Sequence, residues 1–229
     1  MGYEDVRAML SHARLGASIP VWRGEALAES RLLSGSRRVT QIRIATEILR
    51  PSAGCIVDRA FLSDLSAADE SNARDLIYGR YLASVPIAAE FARGFLRVGA
   101  KGTPVDSVSK ISLDAFLSAK LPMCSEATRA RTRTAIGSQF TAAGIARVTR
   151  DGALVRTTRR PAPIAVYHLL ADELRERREA SDAWLASHSL AAAIFSIDAF
   201  VFRDILESLI ADHRLTRSYI GGEPRVLAA

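Results

Sequence analysis

The chain has 229 residues, of which 48% are hydrophobic and 24% charged, a balance that excludes wholesale disorder because it supplies enough apolar surface to offset the entropy of folding. The net charge of +6 is unevenly spread: residues 1–103 hold 14 basic and 11 acidic residues, 104–162 hold 10 and 4, and 163–229 hold 7 and 10. No stretch approaches the roughly 20 apolar residues of a membrane span, the best run being Leu190 to Ile197, so no membrane partner is expected. Aromatics are few while Ala and Leu are plentiful, which favours helices over a sandwich or barrel.

Periodicity predicts short helices from Glu25 to Leu33 and from Arg37 to Arg50, the second opened by Ser36 and closed by Pro51. In the second, Val39, Ile42, Ala45, Ile48 and Leu49 recur at helical spacing, with Arg37, Arg38, Gln41 and Arg43 around them. A basic start opposes the helix dipole, so Arg37 and Arg38 are either a phosphate-contacting patch or a tolerated surface arrangement. Asp69 to Val98 reads as a long helical region with a wide apolar face, divided or kinked at Pro86. Gly99 to Ser109 breaks the pattern and marks the end of a helical N-terminal domain, residues 1–103.

The basic segment 104–162 reads as a winged helix-turn-helix. Ser112 is expected to cap a helix from Leu113 to Ala119, Leu121-Pro122-Met123-Cys124 breaks it, and a second helix runs from Ser125 to Ala143 with Gly144 as a left-handed stop. Ile145 to Thr149 and Ala153 to Thr157, joined by Arg150-Asp151-Gly152, form a hairpin wing. The second helix carries Thr128, Arg129, Arg131 and Arg133 early and Ile136, Phe140 and Ala143 late, so its first half projects polar groups while its second half anchors in the core. Guanidinium groups can meet phosphates or the O6/N7 edge of guanine with paired hydrogen bonds. Ser125, Thr128, Arg129, Arg131 and Arg133 are therefore the candidate contacts, supported by Arg147, Arg150 and Arg156 on the wing, with Arg37 and Arg38 as a second patch. Winged domains also mediate protein contacts, which leaves a protein scaffold as the alternative.

Residues 163–229 read as a helical C-terminal domain: Ile164 to Arg178, then Ile197 to His213 capped by Ser196 with Phe200, Val201, Ile205, Leu206, Leu209 and Ile210 inward, then a hairpin turning at Gly221-Gly222. Helix followed by glycine-turn hairpin repeats the earlier layout, and the negative charge suits a protein neighbour better than DNA. The expected fold is thus mainly α: a helical N-terminal domain followed by winged helix-turn-helix elements with short β-hairpin wings.

No catalytic residue, metal site or cofactor is expected. Phosphate-loop, GxGxxG, HExxH and GxSxG patterns are absent. His12, His168, His188 and His213 are scattered, and Cys55 and Cys124 form no CxxC, which suits a reducing compartment. Glu4, Asp5 and Arg7 stand where a signal peptide would need a basic start and an apolar core, so the expected location is the cytoplasm.

The order Glu29-Ser30-Arg31-Leu32-Leu33, a basic helix from Arg37 to Arg50, the segment Ala92-Arg93-Gly94-Phe95-Leu96, then Asp114-Ala115-Phe116-Leu117 followed by Ser125 to Ile145 and a short wing resembles the BrxA family of bacterial BREX phage-defence systems, over roughly residues 24–158. That resemblance implies a helical winged fold, double-stranded DNA as ligand, other BREX-type defence proteins as partners, and no invariant catalytic motif. Beyond Pro163 the match is weaker.

Overall fold

The computed structural model describes residues 3–11, 13, 18–29, 35–49, 58–96, 106–220 and 223–228, with backbone alone at 24, 27–29, 35–38, 220 and 223. Across these residues the chain is mainly α-helical, with two small antiparallel sheets of three strands each. No helix among them is long and apolar enough to cross a membrane.

The N-terminal part is a stack of helices: α1 (Tyr3–Ser11), α2 (Ile19–Glu29), α3 (Gly35–Leu49), α4 (Arg59–Ala67), α5 (Glu70–Ser84) and α6 (Pro86–Phe91), running into a π-helical turn, Ala92–Leu96. Helix α2 begins earlier than its pattern suggested because Ile19, Trp22 and Ala26, spaced three and four apart, are the buried set. In α3 the buried face is Ile42, Ala45, Ile48 and Leu49 as read, but Ile44 joins it while Val39 is exposed. Asp58 and Asp69 cap α4 and α5 by accepting hydrogen bonds from the Phe61 and Asn72 amides, at 3.1 and 2.8 Å. Pro86 separates α5 from α6, with Val85 extended before it as a residue preceding proline tends to be.

Two units of like connectivity follow. The first is β1 (Ser107–Val108), α7 (Lys110–Lys120), α8 (Glu126–Ala142), β2 (Ala146–Val148) and β3 (Leu154–Arg156), in sheet order β1-β3-β2. After α9 (Pro163–Arg177) the second runs β4 (Ala180–Ser181), α10 (Asp182–His188), α11 (Leu190–Ile194), α12 (Ala199–Ala211), β5 (Leu215–Ile220) and β6 (Glu223–Ala228), in order β4-β6-β5. Their long helices end alike. Gly144 and His213 both take the left-handed conformation (φ 70° and 56°), and the next amide turns back to the helix: Ile145 to the Phe140 carbonyl at 3.0 Å, Arg214 to that of Leu209 at 2.9 Å.

Two helix starts differ from their sequence reading. Ser109, not Ser112, caps α7, because β1 holds the backbone extended up to it and its hydroxyl then meets the Ser112 amide at 3.1 Å. Asp198, not Ser196, caps α12 by accepting from the Val201 amide at 2.8 Å. The inward set of α12 becomes Phe202, Ile205, Leu206 and Leu209, and Phe200, expected inside, is 81% exposed.

The apolar core is continuous from the N-terminal helices into both units. Phe140 of α8 is fully buried with its ring edge-on to Phe91, centroids 5.7 Å apart. Polar clamps add to it. Asp64 of α4 meets His168 of α9 at 2.9 Å and takes a paired hydrogen bond from Arg214, at 2.7 and 3.0 Å. Burial opposes ionisation of this carboxyl, but the His168 and Arg214 bonds outweigh it and hold its pKa below the usual aspartate value.

Phe140→Ala should cost about 3–5 kcal/mol, because the cavity would lie against Phe91 where little can collapse; urea melts of the two proteins measure it. A folded carboxyl held low contributes stability that is present above the unfolded value and lost as pH falls through the folded one. Wild type should therefore lose stability below about pH 4 more steeply than Asp64→Asn, and parallel acid titrations of the two proteins would refute this.

Candidate nucleic-acid interface

Helix α8 owes its start to Ser125, whose extended backbone (φ −63°, ψ 157°) lets Oγ accept the Thr128 amide at 3.2 Å and meet Thr128 Oγ1 at 3.0 Å. Along the helix the hydroxyls of Thr132, Thr134 and Ser138 donate to the carbonyls four residues back, at 3.0, 3.1 and 2.8 Å. Their protons are spent on the helix itself, which leaves their oxygens only as acceptors.

The arginines of α8 divide into two groups. Arg129 turns back, its Nη1 donating to the Cys124 carbonyl at 2.5 Å and the Leu121 carbonyl at 3.4 Å, and so holds the turn between α7 and α8. Arg133 pairs with Asp114 of α7 and ties the two helices together. The sequence places both pointing outward; the structure gives them carbonyl and carboxylate partners instead, since the turn after α7 and Asp114 in the middle of that helix lie within reach of the inner flank of α8. Arg131 is exposed and has no ion pair among the described residues.

On the wing, Arg147 and Arg150 are likewise exposed and unpaired among the described residues. Arg150 sits at the tip, in a turn closed by Gly152 (φ 82°), whose amide meets the Thr149 carbonyl at 2.9 Å. The Thr149 hydroxyl holds the neighbouring Asp151 carboxyl below its usual pKa; that carboxylate offsets part of the charge of Arg150. The base of the wing packs on α8, with Val148 Cγ2 3.0 Å from where a side-chain carbon on Gly137 would stand. Arg156 points elsewhere: it lines a cleft of about 270 Å³ with Arg159, Arg160 and Asp198, and its Nε is buried without a partner. The backbone of Arg37 and Arg38 belongs to α3, and their side chains lie outside those described. Cys55 and His12 lie outside the described residues as well.

One cation escaped the sequence reading. Lys110, the first residue of α7, is exposed and runs over the wing turn, its Cδ 3.3 Å from the position of a Gly152 side-chain carbon. The signal for it was the Ser109 cap: a helix starting there puts Lys110 against the wing. Ile111 and Met123, 81% and 96% exposed, flank this helix pair as bare apolar groups.

The matching helix of the second unit is chemically different. Asp204 of α12 pairs with Arg160 at 2.5 Å, and Glu207 and Asp182 both pair with Arg217 of β5 at 2.8 Å. Among the described residues no cluster of three or more His, Cys, Asp or Glu side chains could hold a metal ion.

No family model and no curated protein matches the chain. Among solved structures it is similar to a crystal structure of SspB, at 13% identity and a TM-score of 0.60, over 100% of this chain and 81% of that one. Identity that low speaks for the fold alone.

Arg129→Ala should lower stability by about 1–3 kcal/mol, since it strips the turn carbonyls of a charged donor. Arg131→Ala should stay within about 0.5 kcal/mol of wild type. Thermal or urea melts compare the two, and equal losses would mean that Arg129 does not hold the turn.

Proposed function

We propose that the chain binds double-stranded DNA through its first winged unit as a non-catalytic accessory component of a BREX-type anti-phage system, acting in the cytoplasm beside other defence proteins. The observation that carries this reading is the set Lys110, Arg131, Arg147 and Arg150, exposed on or beside a helix-turn-helix and its wing without ion pairs among the described residues. Cations on such a scaffold bind duplex by displacing condensed counterions from the phosphates. Arg129 and Arg133 then act as positioning residues, fixing the turn and the helix pair that present Arg131. Ser125 and Thr128 cap the helix and offer their oxygens only at its rim. The placement of the chain in the BrxA family rests on the sequence pattern, with which the tandem winged architecture is compatible.

A second reading, a scaffold that holds defence subunits, is favoured by the second unit. Its helix α12 has the same place in the connectivity, yet it presents Asp204 and Glu207, paired with Arg160 and Arg217, the latter also held by Asp182, while Phe200 and Tyr219 stand exposed, at 81% and 73%. Such a surface suits a protein neighbour better than phosphate.

Replacing Arg131, Arg147 and Arg150 together by Ala should reduce the slope of log affinity against log salt by roughly three units and weaken binding to all duplex sequences alike. Anisotropy titrations of a random duplex at several salt concentrations test it. Overlay of wild type and variant would remove the winged unit from the DNA reading, and failure of the wild type to bind at low salt would leave the scaffold.

A further inference from the structure

A cleft of about 620 Å³ opens where α3, α5, α6, the π-helical turn, α9 and α11 meet, a size common among small-molecule sites. Its chemistry follows from how these elements pack. Helix α9 turns Leu169, Leu170 and Leu174 inward, which leaves Asp172, Glu173 and Glu176 along the cleft. The π-helical turn, a feature that recurs at functional sites, brings Arg93 to 3.8 Å from Glu173. Glu47 stands at the end of α3, and Arg80 of α5 lines the interior.

The internal bonds of this cleft leave a specific remainder. Arg80 is only 6% exposed, with its guanidinium bonded to the Ile48 carbonyl at 3.2 Å and Asp58 at 2.5 Å, yet its Nε is buried without an acceptor. Glu173 accepts the Leu190 amide on one oxygen at 2.6 Å, while the other oxygen is buried without a donor. Burial pushes this carboxyl up, against the pull of the Leu190 amide and Arg93. Of the other carboxylates, Glu90 is taken by Lys120 at 2.6 Å and Asp172 by Arg175 at 2.7 Å, with Arg80 also 3.9 Å from it. Glu47 and Glu176 are exposed and have no ion pair among the described residues. A polar group left unmet in the interior carries the cost of its lost hydration, so the remainder describes a complement: donors with positive charge for Glu47 and Glu176, one donor for the free oxygen of Glu173, and one oxygen acceptor for Arg80.

We propose that this cleft binds a small cationic metabolite with the chemistry of a free basic amino acid, its amino or guanidino groups facing Glu47, Glu173 and Glu176 and a carboxylate oxygen meeting Arg80 Nε. A polyamine supplies the charges but lacks the acceptor. A basic side chain within a protein supplies one cation, but its carboxyl is tied up in a peptide bond. The site shares no lining residue with the winged interface, so DNA binding and ligand binding can fail separately.

Isothermal titration of the full chain at fixed ionic strength with L-arginine and L-lysine, and with spermidine and Nα-acetyl-arginine amide as comparisons, tests the assignment. At least one free amino acid should bind saturably at one per chain, about tenfold tighter than either comparison compound, a difference of about 1.4 kcal/mol. The double variant Glu47→Gln, Glu176→Gln changes two exposed side chains and should keep the wild-type melting temperature while losing at least about tenfold of that affinity. Absence of saturable binding by both amino acids, or equal binding by the double variant, overturns the site. Binding of the blocked arginine or of spermidine as tight as that of the free amino acid overturns the role of Arg80 and moves the ligand to a partner's basic side chain or to a polyamine.

Discussion

The buried carboxylate of Asp75 is the constraint around which the two winged units are set. It lies on α5, 2% exposed, and it is met by two groups of the connector 157–162: the guanidinium of Arg159 and the amide of Ala162, the latter at 2.9 Å. Arg159 also donates to the Ala143 carbonyl, at 3.1 Å, where α8 ends. One side chain on an N-terminal helix thus fixes the end of α8, the path out of the first wing and the start of α9. Burial pushes the Asp75 carboxyl up against the pull of Ala162 and Arg159, as expected when desolvation of a buried pair rivals its attraction. Such a pair adds little net stability, but leaving either charge alone inside is costly, so it specifies one arrangement of the connector over others. Gly144 serves the same junction twice: its positive φ ends α8, and a side-chain carbon there would stand 2.9 Å from Arg159 Nη1.

With the connector pinned, the units can share connectivity and diverge in surface. Their sheet orders and helix-end hydrogen bonds correspond, although a glycine takes the left-handed position in the first and His213 in the second. A non-glycine residue there is strained, and Arg214, immediately after it, is bonded to Asp64. The second unit is therefore locked to the N-terminal helices through Asp64, as the first is through Asp75 and through the contact of Phe140 with Phe91.

Secondary structure was legible wherever a local signal had no competitor. Pro86 divides its helix, Gly144 stops α8, and the Asp151-Gly152 turn joins paired strands as its chemistry requires, while Gly221-Gly222, expected to turn the second hairpin, lie outside the described residues. Helix starts were less legible when two candidate caps stood close together. Ser109 and Ser112 are chemically equal, and β1, whose pairing with β3 is not local, decides between them; Ser196 lost to Asp198 because its backbone is left-handed (φ 50°) and its hydroxyl donates to the distant Leu96 carbonyl, and Phe200 left the core with it. The candidate site was half legible. That α8 carries arginines is in the sequence, but whether a guanidinium faces solvent depends on which acceptors the fold brings within its reach. Asp114 and the Cys124 carbonyl come near α8 only after the turn has folded, so Arg129 and Arg133 could not be told from Arg131 beforehand. Lys110 was hidden for the converse reason, because its proximity to the wing is a tertiary fact.

That partition bears on how the proposed DNA contact would operate. Among the described residues the exposed cations of this unit without an ion pair are Lys110, Arg131, Arg147 and Arg150, and one phosphate contact each would give a salt slope of roughly −3.6. A protein that makes about six to ten such contacts has a correspondingly steeper slope. The helix adds little base-reading chemistry, since the hydroxyls of Thr132, Thr134 and Ser138 are bonded to their own backbone and Glu126, exposed at the start of α8, repels phosphate. On the proposed reading, then, the first unit supplies orientation and modest, sequence-tolerant affinity, to which the second patch, Arg37 and Arg38, or another member of an assembly would add. The second unit is the part of the chain fitted to such an assembly: Asp204 is matched by Arg160 of the connector and Asp182 and Glu207 by Arg217, and its exposed aromatic groups gain most from a surface that excludes water.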